Sequence, residues 1–181
     1  MIAVEKNYLT IVQYLVENGV SINQKSDPVG ETALHIAGKT PRFDESERAA
    51  SFEIVKFLME KGADPNIIYG ERDNNPALAL GWGMPTTPLH CFCGNTIPDN
   101  YFNENPNLKI IKYLVENGTD PEIITDPEYS PVLLTCSCSK NARLFFNYFC
   151  EKFPEIVKND IFINNYLLQA AKNRQFGIIK S

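Results

Sequence analysis

Residues 108–118 read LKIIKYLVENG, and the same pattern stands at residues 9–19 (LTIVQYLVENG) and 52–62 (FEIVKFLMEKG). A weaker copy, RLFFNYFCEKF, occupies residues 143–153. In each copy an apolar residue (Ile11, Ile54, Ile110 or Phe145) precedes the last position by eight residues. Apolar side chains recur within a copy at helical spacing, as Ile54, Phe57 and Leu58 do, so each copy is predicted to be an amphipathic helix. Gly19, Gly62 and Gly118 close three of them. A helix stops there most readily on a left-handed residue, a conformation that is cheap without a Cβ. Phe153, followed by Pro154, fills that slot in the fourth copy. That helix is predicted to end without the left-handed stop, with Phe153 packed inward.

A second motif alternates with the first. It reads Thr32-Ala33-Leu34-His35-Ile36-Ala37, then Thr87-Pro88-Leu89-His90-Cys91-Phe92, then a degenerate Ser130-Pro131-Val132-Leu133. A hydroxyl residue at the N-cap and proline at the first helical position mark helix starts. A fifth start is expected at Asn165, leading into Leu167 and Leu168.

Together the two motifs resemble the ankyrin repeat, a turn, helix, helix unit of about 33 residues with the signature T-P-L-H-x-A. The resemblance covers essentially the whole chain. It implies an all-α solenoid of about five helix-pair units, the outer two incomplete, with inserted loops. The expected organisation is a single domain over residues 1–181, with units near 1–30, 31–85, 86–129, 130–164 and 165–181. Thr32, His35, Gly62, Thr87, His90 and Gly118 are its structural motif residues. The resemblance also implies that the histidines bond locally and brace neighbouring turns.

The closing slots lie 43, 56 and 35 residues apart, so two units exceed the repeat length. Extra residues fall at about 38–50 and 94–105, between first and second helices, and between 66 and 86, in an inter-repeat loop. Asp44 with Glu47 forms a candidate capping box, and Asn105-Pro106 a candidate cap and first helical position. Insertions in solenoids map to loops, often on the binding face. Both ends are abrupt: the chain is expected to start inside a first helix and stop just into a last second helix, with apolar faces at residues 1–4 and 178–181. It is therefore read as either a piece of a longer protein or a stack with irregular end helices.

Of the 181 residues, 44% are hydrophobic and 22% charged, which excludes general disorder. The net charge of −5 is wrong for a phosphate-backbone binder, so nucleic acid is not expected as a partner. No run approaches the roughly 18 apolar residues of a membrane span, and the start lacks a signal peptide's pattern. Five cysteines, an odd number in a chain of this size, point to a reducing compartment and a cytoplasmic location.

Catalytic chemistry finds few candidates. His35 and His90 share one repeat slot, which argues for structure rather than catalysis. Cys91 and Cys93, like Cys136 and Cys138, are two apart, and such positions on a helix point to nearly opposite sides. They are read as small core residues and not as a zinc site, so neither metal nor cofactor is expected. Tyr14, Phe57, Tyr113 and Tyr148 share a slot and are expected to form an aromatic ladder. Gly81 and Gly83 lack the third glycine of a phosphate cradle, and the acidic residues make no paired-carboxylate motif.

The expected function is thus non-enzymatic: a scaffold that binds another protein through its inter-repeat finger loops and concave face. Residues 69–84 are the candidate contact, with Trp82 and Tyr69 as anchors, Glu71, Arg72 and Asp73 as rim charges, and Met84 beside them. Trp82 has a structural reading too, folded back over the solenoid. The alternative function is a targeting or regulatory segment of a larger multidomain enzyme or secreted effector. An abundance of Asn, Ile, Lys and Tyr resembles ankyrin proteins of protists and of intracellular bacteria, whose effectors reach the host cytoplasm.

Overall fold

The computed structural model describes residues 1–41, 44–69, 86–94, 107–126, 130–135 and 142–172. Ten α-helices lie within them: α1 (Ile2–Glu5), α2 (Leu9–Glu17), α3 (Ala33–Lys39), α4 (Glu45–Glu60), α5 (Pro88–Gly94), α6 (Leu108–Glu116), α7 (Pro121–Thr125), α8 (Pro131–Thr135), α9 (Ala142–Lys152) and α10 (Asp160–Lys172). A 3₁₀ turn at Ile156–Lys158 precedes α10.

Two rows of helices stack. The first row runs α1, α3, α5, α8, α10, each packed on the next. The second row runs α2, α4, α6. Lys112 over the Tyr148 ring and the Lys152–Glu116 ion pair tie α9 to α6. Burial follows the helical spacing seen in sequence: Ile54, Val55 and Leu58 of α4 and Ile110, Ile111 and Leu114 of α6 are shut off from solvent. This is an all-α solenoid, as expected.

The helix ends obey local chemistry. Gly19, Gly62 and Gly118 have φ of +88°, +90° and +118°, the left-handed stop their slot predicted. Phe153 does not; α9 ends at Lys152, and the half-buried ring packs against the core. Thr32 caps α3, and Asp44 caps α4 by accepting from the Glu47 amide at 2.8 Å. Ser130 Oγ accepts from the Val132 amide at 3.1 Å at the head of α8. The insertion near residues 38–50 therefore becomes a short turn plus extra N-terminal turns of a 16-residue α4.

Three expectations change. The fifth start is not at Asn165, which lies inside α10; that helix begins at Asp160, where Asn159 Oδ1 accepts from the Phe162 amide at 3.1 Å. The cap expected at residues 105 and 106 lies outside the described residues, and α6 begins at Leu108, behind buried Asn107. The aromatic ladder does not form. Tyr14 is 65% exposed, Tyr113 meets Phe52 edge-on at 5.6 Å, and Tyr148 packs beside Phe149.

Gly38 is needed for contact between the rows' units. A Cβ there would lie 2.7 Å from Cys91 Cβ and 3.1 Å from the Phe92 amide nitrogen, so α3 and α5 could not approach as they do.

Candidate protein-binding site

The site to be built is the base of the long insertion between α4 and α5. Tyr69 and Thr86 stand at its two ends and form an antiparallel bridge, each amide donating to the other's carbonyl at 3.0 Å. Two backbone bonds thus close a neck.

His35 pins that neck from below. Its Nδ1 accepts from the Thr32 amide at 3.1 Å and lies 2.9 Å from Thr32 Oγ1. Accepting an N–H requires a bare Nδ1, so the proton resides on Nε2 and is donated to the Thr86 carbonyl at 3.2 Å. Burial dominates this imidazole's chemistry and lowers its pKa to about 4, leaving it neutral near pH 7. His90 repeats the local half of the arrangement, at 3.2 Å from the Thr87 amide and 2.8 Å from Thr87 Oγ1. The histidines therefore brace turns.

Tyr69 is half-buried. Its ring meets the His35 imidazole edge-on, with centroids 4.8 Å apart, and the Lys39 ammonium lies 4.6 Å above it. Lys39 is itself ion-paired with Glu31. Burial raises the Tyr69 pKa, and it pushes the neighbouring Cys91 thiol up to about 12. Cys91 is therefore a protonated, inert thiol. Cys91 and Cys93 are both buried in α5; Cys136 and Cys138 lie outside the described residues. Among the described residues, no group of three or more His, Cys, Asp or Glu is placed to hold a metal ion.

Glu71, Arg72, Asp73, Trp82 and Met84 lie outside the described residues. Of the candidate contact residues, Tyr69 is the one described, and its ring faces the stack as part of the neck.

Sequence reading missed a second set of braces. Asn23 Nδ2 donates to the Gly62 carbonyl at 3.1 Å, and its Oδ1 accepts from the Asp64 amide at 2.9 Å. Asn66 repeats this one unit on, with the Gly118 carbonyl and the Asp120 amide, both at 2.8 Å. Both asparagines stand four residues after a closing glycine, and that shared slot was the available signal.

Residues 1–69 match the family model for ankyrin repeats, which describes three copies. A fowlpox virus (strain NVSL) protein described as an ankyrin repeat protein is 32% identical over 75 residues, which are 41% of this chain and 13% of that protein. The matched stretch is thus a small part of a much longer relative.

Proposed function

The chain is an ankyrin-repeat protein, an all-α solenoid of a kind that serves generally as a protein–protein interaction module, and on that basis we propose that it is a non-enzymatic scaffold gripping one partner protein. The contact lies on the finger that rises from the Tyr69–Thr86 neck, with the concave face beside it. The observation that carries this reading is the neck itself. An insertion that the repeat does not need for stacking has both ends bonded to each other, with Thr86 also bonded to His35 and the Tyr69 ring packed edge-on against it. Such a base presents a loop in one place at low entropic cost.

Trp82 is the central anchor in this reading. Glu71, Arg72 and Asp73 supply rim charge, Met84 adds apolar area, and Tyr69 contributes mainly by holding the base. Residues 1–181 act as one domain. The net charge of −5 supports a protein rather than a nucleic acid as partner. No helix among the described residues is long and apolar enough to cross a membrane, and Cys91, Cys93 and Cys150 are free thiols. Both observations support a cytoplasmic setting, that of a host if the protein is delivered. The length of the fowlpox relative favours a second reading, in which the stack targets or regulates a larger enzyme or effector.

The test is quantitative capture with the whole chain as bait, beside variants lacking residues 70–85 or carrying Trp82→Ala. Loss of an anchor should weaken the captured complex by at least about 2 kcal/mol. Equal affinity for all three baits removes the finger and leaves the concave face.

A further inference from the structure

The neck carries a grip that does not belong to the repeat motif. Glu31 precedes α3 and Lys39 ends it, and their ion pair holds the ammonium over the Tyr69 ring. Tyr69 is thus held from above by Lys39 and edge-on by His35.

The backbone at this point is weak by itself. A bridge of one residue pair has no third strand and no hydrophobic face of its own, and even a full two-stranded hairpin is marginal in water. Side chains must decide whether it stays closed. His35 bonds the Thr86 side through a carbonyl. On the Tyr69 side, the fixed cation is Lys39, attracted by the negative face of the ring. Glu31, whose side chain is mostly buried, removes the freedom that a long lysine side chain would otherwise spend in solvent.

We infer that Lys39, oriented by Glu31, is a positioning residue that latches Tyr69 and so keeps the Tyr69–Thr86 bridge at the base of the insertion closed. The consequence for binding rests on the finger reading above. A partner held by the finger would depend on Glu31 and Lys39 without touching either.

The latch can be read without a partner. Trp82 is the chain's single tryptophan, so its fluorescence anisotropy reports on the insertion alone. Hydrogen exchange at the Tyr69 and Thr86 amides reads the bridge, and exchange at the Asp64 and Asp120 amides reads the asparagine clamps. In Lys39→Met the bridge amides should exchange roughly fivefold faster, as loss of one partly desolvated cation–π contact predicts. Trp82 anisotropy should fall, the clamp amides should hold, and Lys39→Arg should restore both signals. Glu31→Gln should give a smaller change in the same direction.

Unchanged bridge amides in Lys39→Met overturn the inference. So does acceleration of all four amides together, which makes Lys39 a contributor to the whole stack, and so does failure of Lys39→Arg to restore. If the amides respond as expected but Trp82→Ala leaves capture of the partner intact, the binding reading fails and the latch stands.

Discussion

The first two junctions of the stack are joined by polar clamps, and its last units are joined by aromatic burial. Asn23 and Asn66 each bridge one closing turn to the next with two backbone bonds. His35 adds a bond from α3 to the turn before α5. In the last units of the stack each of these residues is replaced. Glu122 takes the asparagine slot, Leu133 the histidine slot and Phe153 the glycine slot. In compensation, Phe145, Phe149, Phe162 and Tyr166 are fully buried there, and Phe146 stacks on Tyr166 at 4.2 Å. A polar clamp demands one backbone geometry and so preserves a repeat register. Aromatic burial demands area, and it tolerates a longer helix such as α10 and a 3₁₀ turn in place of the glycine stop.

The largest effect should come from emptying the aromatic junction. Phe162→Ala removes a fully buried ring and should cost about 3–5 kcal/mol, most of it local to α9 and α10. In a solenoid, coupling runs only to neighbours, so the terminal unit should melt before the clamped ones. Urea melts followed by far-UV circular dichroism should then separate from those followed by Trp82 fluorescence. Coincident curves would mean that both kinds of junction unfold as one unit.

Acid should reverse that order. Folded His35 has a pKa of about 4 against an ordinary 6.5, so between those values the unfolded chain binds the extra proton. Its contribution is complete above pH 6.5, declines as pH falls toward 4, and is constant below; the loss should reach up to about 3 kcal/mol. Protonation would also put a donor on Nδ1, facing the Thr32 amide. Neither histidine lies in the aromatic unit. An NMR titration of the folded protein should place the His35 midpoint near 4, and a midpoint near 6.5 would remove the effect.

The contrast also explains what could be read in advance. The second helices, their glycine stops and the threonine caps are set within a few residues, so spacing alone located them. The local bonds of His35 were implied by the resemblance to the ankyrin repeat. The start of α10 was not, because its cap is Asn159, without the threonine and proline that mark α5. The asparagine clamps looked like ordinary turn chemistry and emerge only when the loops are superposed slot by slot. The neck was hidden further still. Glu31, Lys39, Tyr69 and Cys91 come from three separate segments, and no local pattern brings them together.

A direct comparison of the slots should yield a smaller difference. Asn66→Ala deletes two backbone bonds at once and should cost about 1–2 kcal/mol. Glu122→Ala, at the equivalent position, should stay within about 0.5 kcal/mol, since that residue sits exposed in the first turn of α7. Equal costs in urea melts would show that the third junction retains a clamp after all.

The smallest effect should also be the one of opposite sign. Tyr148 shares its slot with Phe57, and its ring is buried beside Phe149 and under Lys112. Its hydroxyl is buried too, but it has no hydrogen-bond partner among the described residues. Burial, with Glu116 adding to it, pushes the phenol up to about 12, so it stays protonated and gains nothing from the nearby lysine as an anion. An unpaired buried hydroxyl costs free energy, and removing it leaves a ring of the same shape. Tyr148→Phe should therefore be neutral or stabilise the protein by up to about 1 kcal/mol, with an unchanged urea m-value. Tyr14→Phe, at the mostly exposed end of the same slot, should change nothing measurable. A loss of stability in Tyr148→Phe would reveal a bound water on the hydroxyl, and with it a polar contact inside the aromatic part of the stack.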